Sequence, residues 1–428
     1  MSTSRPETHH VPATEPPEPA DEAEAPAQRP AGRLGGLLSL LALGNTAMFM
    51  VYMGVGQVLL PVQVEALNPA DKVANLGLVS GVAAVFATLF NPLAGLLSDR
   101  SGRRNPWILG GGLAALGALA LLGAVRGILL VTVGWCLVQA TMNVYQAAIT
   151  AVVPDRVPME RRGLASAMVG IGTPVGTIIG VTVASAFVPQ DVGTGYLVLG
   201  AVVAAVAVLF TALVRERKLP AGRAAALGRQ LAAFGSAMRS GDFRWAFIGR
   251  FLLMLGYFAV VLYQLYVLQD HIDLPDGLSP AGAVAILSPI GAVCTLLSTV
   301  IGGTLSDRIG RRKPFIALSC AFTAIGMMIP VLSPTWPGML VFGVLTGLSF
   351  GCFMAVDTAL VTLVLPSAED AARDMGVLNI ANAGPQIIAP FMASLVVASP
   401  GGYAALFVTG AVITILGALA VVPIRGVR

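Results

Sequence analysis

Apolar and polar positions along this chain fall into long blocks. Twelve continuous apolar stretches stand out, near 37–64, 75–98, 106–124, 128–153, 163–187, 194–214, 244–270, 281–305, 314–332, 337–364, 375–398 and 402–423. Each is long enough to cross a hydrocarbon core of roughly 30 Å as a helix. The runs are continuous and lack the period-two alternation of barrel strands. They predict an all-α integral membrane protein, because a helix satisfies its own backbone hydrogen bonds in lipid.

The polar interruptions organise these blocks. Residues 1–36 are dominated by Pro, Ala and Glu and are expected to form a disordered tail without a core or a secretory signal. The longest internal interruption, 215–243, divides the chain into six-helix units at 37–214 and 244–423, with 424–428 as a short end. Within it, AALGRQLAAFGSAMRS suits an amphipathic helix on a membrane surface. A phrase then repeats. Residues 95–104 read GLLSDRSGRR and 303–312 read GTLSDRIGRR, 208 positions apart from Gly95 to Gly303. Each copy closes the second helix of its unit and is followed by Pro. Two pseudo-symmetric bundles from a duplicated six-helix unit form a transporter architecture.

Composition agrees with this picture. The chain is 56% hydrophobic and 11% charged, far below the roughly 25% charge of a soluble domain. The 26 basic residues are strongly biased. With the tail inside, twenty-three lie on the inner side, Lys72 and Arg126 lie outside, and Arg250 lies within a helix. Both termini are therefore expected in the cytoplasm, in a plasma (inner) membrane. The four cysteines sit in apolar runs and read as small buried residues. Three histidines, two of them in the tail, assemble no metal or catalytic set. No Walker motif is present, so ATP is not expected to drive the protein.

The repeated phrase and the topology together resemble the major facilitator superfamily, whose signature GxxxDRxGRR lies between the second and third helices. Both copies match it. The resemblance covers 37–423 and implies the twelve-helix fold of that superfamily and a latch at the cytoplasmic gate. The gating residues would be Gly95, Asp99, Arg100, Gly102, Arg103 and Arg104, then Gly303, Asp307, Arg308, Gly310, Arg311 and Arg312. From the residues alone, Gly95 suits close helix approach and Gly102 a tight turn. An Asp at a membrane edge can pair with Arg and accept from a helix N-terminus. The competing reading makes these arginines topology anchors only. A narrower resemblance, to sucrose–proton symporters and the glycoside–pentoside–hexuronide family, rests on NPLAGLLSDRSGRRNPWI, GRRKPFI and MGVLNIANAGPQIIAP. Sodium-coupled members carry acidic residues inside the second helix. This chain has none there, which argues against sodium.

Charges inside a membrane are costly and point to function. Arg250 and Asp357 lie about two turns from the same membrane face, in the seventh and tenth helices. They are expected to pair, as a coupling site for protons or as a structural bridge. Buried amides and aromatics form the candidate substrate set: Asn45, Tyr52 and Gln57; Gln139, Asn143 and Gln146; Tyr257 and Gln264; Asn379, Asn382 and Gln386. Amides and phenols can bond the hydroxyls of a neutral solute, and aromatics can stack on a sugar ring. Interhelical bonding is the alternative for any one of them.

These features read as a secondary active transporter, not an enzyme, moving a small polar solute such as a sugar or glycoside by alternating access with proton coupling. A proton-driven drug or metabolite exporter is the alternative within transport. A transport-inactive sensor or scaffold is the alternative outside it, and two intact signature loops argue against that. The expected partners are solute, protons and lipid, with a monomer as the unit and no nucleic acid, cofactor or metal.

Overall fold

The computed structural model describes the backbone of residues 31–216, 241–364 and 371–424, with side chains at 31–33, 358–359, 361–364 and 371–379 excepted. The expected tail over 1–30 and residues 217–240 of the expected linker lie outside it, with its amphipathic segment. Twelve helices are long and apolar enough to cross a membrane. We number them α1 (Leu34–Leu67), α2 (Lys72–Ser101), α3 (Asn105–Ala124), α4 (Ile128–Arg156), α5 (Met159–Phe187) and α6 (Val192–Leu213). The second half has α7 (Gly241–Leu262), α8 (Pro280–Ile309), α9 (Lys313–Leu332), α10 (Trp336–Val364), α11 (Ala371–Val397) and α12 (Gly402–Val421).

The duplication is preserved residue by residue. Lys72 to Pro280, Asn105 to Lys313 and Ile128 to Trp336 are helix starts separated by 208 positions each. The paired helices have equal lengths of 30, 20 and 29 residues. Packing follows the same symmetry. In the first half α1 lies on α5, α2 on α4, and α3 on both α4 and α6; in the second, α7 lies on α11, α8 on α10, and α9 on both α10 and α12. The halves meet through α2 on α11 and α5 on α8, two pairs that the repeat exchanges.

Leu89, Leu93 and Leu97 are exposed on α2, as are their repeat equivalents Leu297, Ile301 and Leu305 on α8. Such an apolar exterior matches lipid as its solvent. Small residues let the helices close inside it. A Cβ on Gly176 would lie 2.4 Å from the Thr46 carbonyl oxygen, and one on Gly180 would lie 2.4 Å from that of Met50, so α5 touches the α1 backbone. Each signature helix ends on a left-handed glycine, Gly102 (φ 61°) and Gly310 (φ 67°), where a side chain would be strained. Asp191 caps α6, accepting from the Thr194 hydroxyl and the Gly193 and Thr194 amides. These bonds hold its carboxyl below its ordinary pKa, the Thr194 hydroxyl contributing most.

Two expected spans are not regular. The first contains a π-helical turn at Val55–Leu59, and the seventh breaks at Tyr263 before a short helix, Gln264–Asp270. Val55 and Tyr263 are again 208 positions apart. The first lies among Gly54, Gly56 and Pro61, whose ring nitrogen cannot donate to the Gln57 carbonyl, whereas the second has no Pro or Gly at its break. They arise where the two halves meet, and π-turns concentrate at such functional places.

The packing predicts a selective response to bulk. Gly180→Leu should destabilise the protein by about 1–3 kcal/mol through overpacking. Gly170→Leu, where a Cβ would meet nothing within 4 Å, should leave the unfolding temperature in detergent unchanged. Equal shifts would disprove the α1–α5 assignment.

Candidate transport site and gates

The first signature loop is a knot of bonds centred on Arg104, which is 8% exposed. The turn at Gly102 folds it back, so its Nη1 donates to Asp99 Oδ1 at 2.7 Å and to Ser98 Oγ at 2.8 Å. Its Nε donates to Asp155 Oδ2 at 2.8 Å, on the end of α4. The backbone amide of Asn105 donates to Glu216 Oε2 at 2.9 Å, and the Asn105 side chain to the Val214 carbonyl at 2.6 Å. These contacts tie α2, α3, α4 and the end of α6 into one unit. Arg100 and Arg103 point away from it and are exposed.

The second loop is bonded differently among the described residues. Arg312 reaches Asp307 at 3.4 Å, and Asp307 is 67% exposed. Ser306, the equivalent of Ser98, is buried, and its hydroxyl has no hydrogen-bond partner among the described residues. Lys313 instead donates to the Ile424 carbonyl. Gly303 meets only Ala355, at 3.5 Å, and Arg308, Gly310 and Arg311 are exposed.

Gly95 departs from expectation. Among the described residues, a Cβ there would meet nothing within 4 Å. Gly77 on the same helix would place a Cβ 2.8 Å from Ser394 and 2.9 Å from the Pro390 carbonyl of α11. Gly77 and Gly95 are 18 positions apart, about five whole helical turns, and so share one face of α2. The α2–α11 contact is therefore tight at the end away from the signature loops, and the α11 side chains nearest the loops, at 371–379, lie outside the described residues.

At that far end the halves are bonded together. Lys72 Nζ lies 2.9 Å from both Glu65 of α1 and Asp270 beyond α7. It also sits 4.9 Å from the Tyr266 ring centroid. Gln269 donates to Glu65 at 2.6 Å, and Tyr403 to Asp270 at 2.8 Å. The Tyr266 hydroxyl donates to the Pro61 carbonyl at 2.8 Å, and the Tyr263 hydroxyl lies 3.0 Å from the Val73 carbonyl. The π-turn projects Gln57 across the interface, where its Oε1 accepts from Ser288 Oγ at 2.9 Å. Sequence reasoning missed this cluster. Its trace was the isolated Lys72 on a side otherwise nearly free of basic residues, facing an acidic segment that begins at Asp270.

Arg250 and Asp357 meet within the second half. Arg250 Nη1 donates to Asp357 Oδ2 at 2.5 Å, and the side chains are 6% and 3% exposed. Arg250 Nε donates to Asn382 Oδ1 at 2.8 Å, which adds α11 to the pair. Gln386, one turn along, donates to the Asn382 carbonyl at 3.1 Å and is exposed. A buried guanidinium demands such saturation, since an unpaired charge in this setting costs several kcal/mol.

The other candidates divide. Tyr52 donates to Gln146 Oε1 at 3.2 Å, joining α1 to α4. Gln139 has a buried Oε1 with no hydrogen-bond partner among the described residues. Tyr257 stacks on Phe350, with centroids 4.1 Å apart. Asn45 stands apart from this group. Its amide donates to the Leu41 carbonyl one turn back, and it packs beneath Gly172 of α5. Asn143 likewise donates to its own helix, at the Gln139 carbonyl. Gln264 is buried in the segment after the α7 break. Asn379 lies on α11, and its side chain is outside the described residues.

Twelve spanning helices in two symmetric bundles around inward polar groups define a membrane transporter. The model of the Major Facilitator Superfamily matches residues 34–297 and 280–427, so the chain belongs to that superfamily and is a transporter of small solutes, not an enzyme. It is 24% identical over 318 residues to the multi-drug resistance efflux pump PmrA of Streptococcus pneumoniae, covering 72% of this chain and 76% of the pump. Its fold is that of the nucleoside transporter NupG (TM-score 0.75, 15% identity, 91% of this chain and 99% of that one). It is also that of a bacterial homologue of the human lysosomal transporter Spinster, solved inward-facing and unoccupied (TM-score 0.72, 14% identity, 92% and 96%).

Removing one member of the buried pair should be worse than removing both. Arg250→Met alone should lower stability by about 3–5 kcal/mol, and adding Asp357→Asn should restore most of it. Thermal unfolding of the three proteins in detergent checks this, and additive losses would exclude a direct charge pair.

Proposed function

We propose that this protein is a secondary active transporter of the plasma membrane that works by alternating access, with its signature loops in the cytoplasm. The strong bias of basic residues toward that side supports the orientation. One observation carries the conformational reading. The halves are hydrogen-bonded and ion-paired at the far end, while among the described residues a Cβ on Gly95, beside the signature loops, would meet nothing within 4 Å. This form corresponds to the inward-open state. The Lys72 cluster is the outer gate, and closing α2 against α11 at Gly95 is the step that shuts the inner one.

The cargo is a small, mainly uncharged polar solute, with sugars and glycosides as the first class to examine. Its hydroxyls would donate to groups such as Gln139 Oε1, which lacks a partner, and exchange with the Tyr52–Gln146 bond. Tyr257 and Phe350 offer an aromatic face beside it. Asp357 is the proton carrier. When a proton binds Asp357 Oδ2, the charge that fixes Arg250 disappears, and Arg250 is left to Asn382 and to acceptor atoms of the solute. Proton and solute occupancy are then linked through one guanidinium. In proteoliposomes with an imposed pH gradient, Asp357→Asn should abolish gradient-driven accumulation while counterflow of the solute continues. Undiminished accumulation would remove Asp357 from coupling.

The similarity to PmrA favours a second reading, drug export by proton antiport. The same vesicles separate the two. A sugar accumulated along the proton gradient supports symport, and a drug moved against it supports antiport.

The outer gate yields a further prediction. Lys72→Gln should shift the ratio of inward-open to outward-open forms by roughly fivefold toward outward, the equivalent of ~1 kcal/mol for a partly exposed ion pair. Labelling of Gly95→Cys by a membrane-impermeant maleimide should fall accordingly in vesicles exposing the signature side. Unchanged labelling would rule out Lys72 as a gate.

A further inference from the structure

The gates and the buried pair leave two features of the first half unused: the exposed Arg100 and Arg103, and a groove on the outer surface between α3 and α4. The groove has a volume of about 370 Å³ and is lined by Pro106, Trp107, Gly110, Gly111 and Ala114 of α3 and by Thr141 of α4, among others. Pro106 to Ala114 is ~12 Å of helical rise, close to half of a hydrocarbon core of roughly 30 Å. The groove thus runs from the signature loop to the membrane midplane, the depth of one leaflet. Its floor exists because a Cβ on Gly111 would lie 2.8 Å from the Tyr145 backbone nitrogen, so that α3 and α4 touch there. Its open side exists because Gly110 carries no side chain and a Cβ there would meet nothing within 4 Å.

The loop is tied to the mouth of this groove. The Trp107 indole donates to Ser101 Oγ at 2.8 Å, and the Arg103 amide donates to the same oxygen at 3.3 Å. Arg103 is thereby held beside the wall that Trp107 forms. Neither Arg103 nor Arg100 forms an ion pair among the described residues. An apolar slot about one leaflet deep, with the exposed Arg103 tied to its mouth and the exposed Arg100 on the adjoining last turn of α2, complements the charge pattern of a single anionic phospholipid.

The repeat supplies an internal control. The second half has arginines at the equivalent places, Arg308 and Arg311, but Leu318 and Phe322 stand where the first half has Gly110 and Ala114. Both are exposed, at 54% and 42%, and occupy the space that the first half leaves empty. A second external groove, between α9 and α12, is lined by apolar residues near the middle of both helices and has no cation at its mouth.

We propose that the α3–α4 groove binds one anionic phospholipid of the leaflet on the signature side, with an acyl chain along Gly110 and Ala114 and its phosphate at Arg103 and Arg100. The site joins lipid charge to the loop whose Arg104 holds the first bundle's end together. Native mass spectrometry of the full-length protein, titrated with phosphatidylglycerol or with phosphatidylethanolamine, tests it. The expected result is one phosphatidylglycerol bound more tightly than those that follow, with no such preference for phosphatidylethanolamine. Arg103→Gln and Arg100→Gln should each weaken that first binding by roughly fivefold. Gly110→Leu with Ala114→Phe, which copies the second half, should abolish it. Should the doubly filled protein fail to fold, the arginine variants decide alone. Equal retention of the two lipids, or first binding unaffected by the arginine variants or by filling in a folded protein, would overturn the proposal.

Discussion

Hydrocarbon offers no hydrogen bonds, and this constraint shapes most of what the structure contains. It makes the spans helical, so that the backbone satisfies itself. It leaves few polar side chains in the interior and requires most of them to find partners. Arg250 shows the consequence most clearly: its guanidinium is bonded to Asp357 on α10 and to Asn382 on α11, which brings three helices to one point. Tyr52 and Gln146 satisfy each other across α1 and α4. Gln139 Oε1 is one exception among the described residues.

The duplication distributes these demands unequally. Helix lengths and starts in α2–α4 repeat in α8–α10 without a slip. The chemistry does not repeat. The positions equivalent to Arg250 and Asp357 are Ala42 and Ile149, where the first half packs apolar side chains. In the first signature loop Arg104 is buried against Asp99, Ser98 and Asp155, whereas its counterpart Arg312 lies 3.4 Å from Asp307, which is exposed. A symmetric frame thus carries the buried Arg250–Asp357 pair in the second half and the Arg104 knot in the first. Relative movement of the two halves could couple these features without any change inside either bundle.

Much of this was legible beforehand. Helix number, the six-plus-six division and the repeated loop all follow from block length, charge and a ten-residue phrase. The encounter of Arg250 with Asp357 follows from equal depth and the cost of a lone charge. Asn382 was legible as a polar residue but not as their third partner, because that depends on how α11 is rotated against α7. Asn45 and Asn143 look the same as Gln139 in sequence, yet their amides turn back to their own helices. A rotamer choice one turn long separates an unpartnered amide from a satisfied one, and composition does not record it.

The cluster around Lys72 marks the boundary most sharply. Sequence alone determined that Lys72 is a rare cation on its side and that Asp270 opens an acidic segment. Their meeting at 2.9 Å, with Glu65 and the Tyr266 ring, depends on two bundles whose members are nearly 200 residues apart in the chain. The same holds for Gly77, whose close approach to the Pro390 carbonyl of α11 no local signal announces. Local sequence dictates which segments enter the membrane and which way they point, since those are transfer energies summed along the chain. Only the tertiary structure decides which faces touch, since contact between helices depends on rotation and tilt that no single segment specifies.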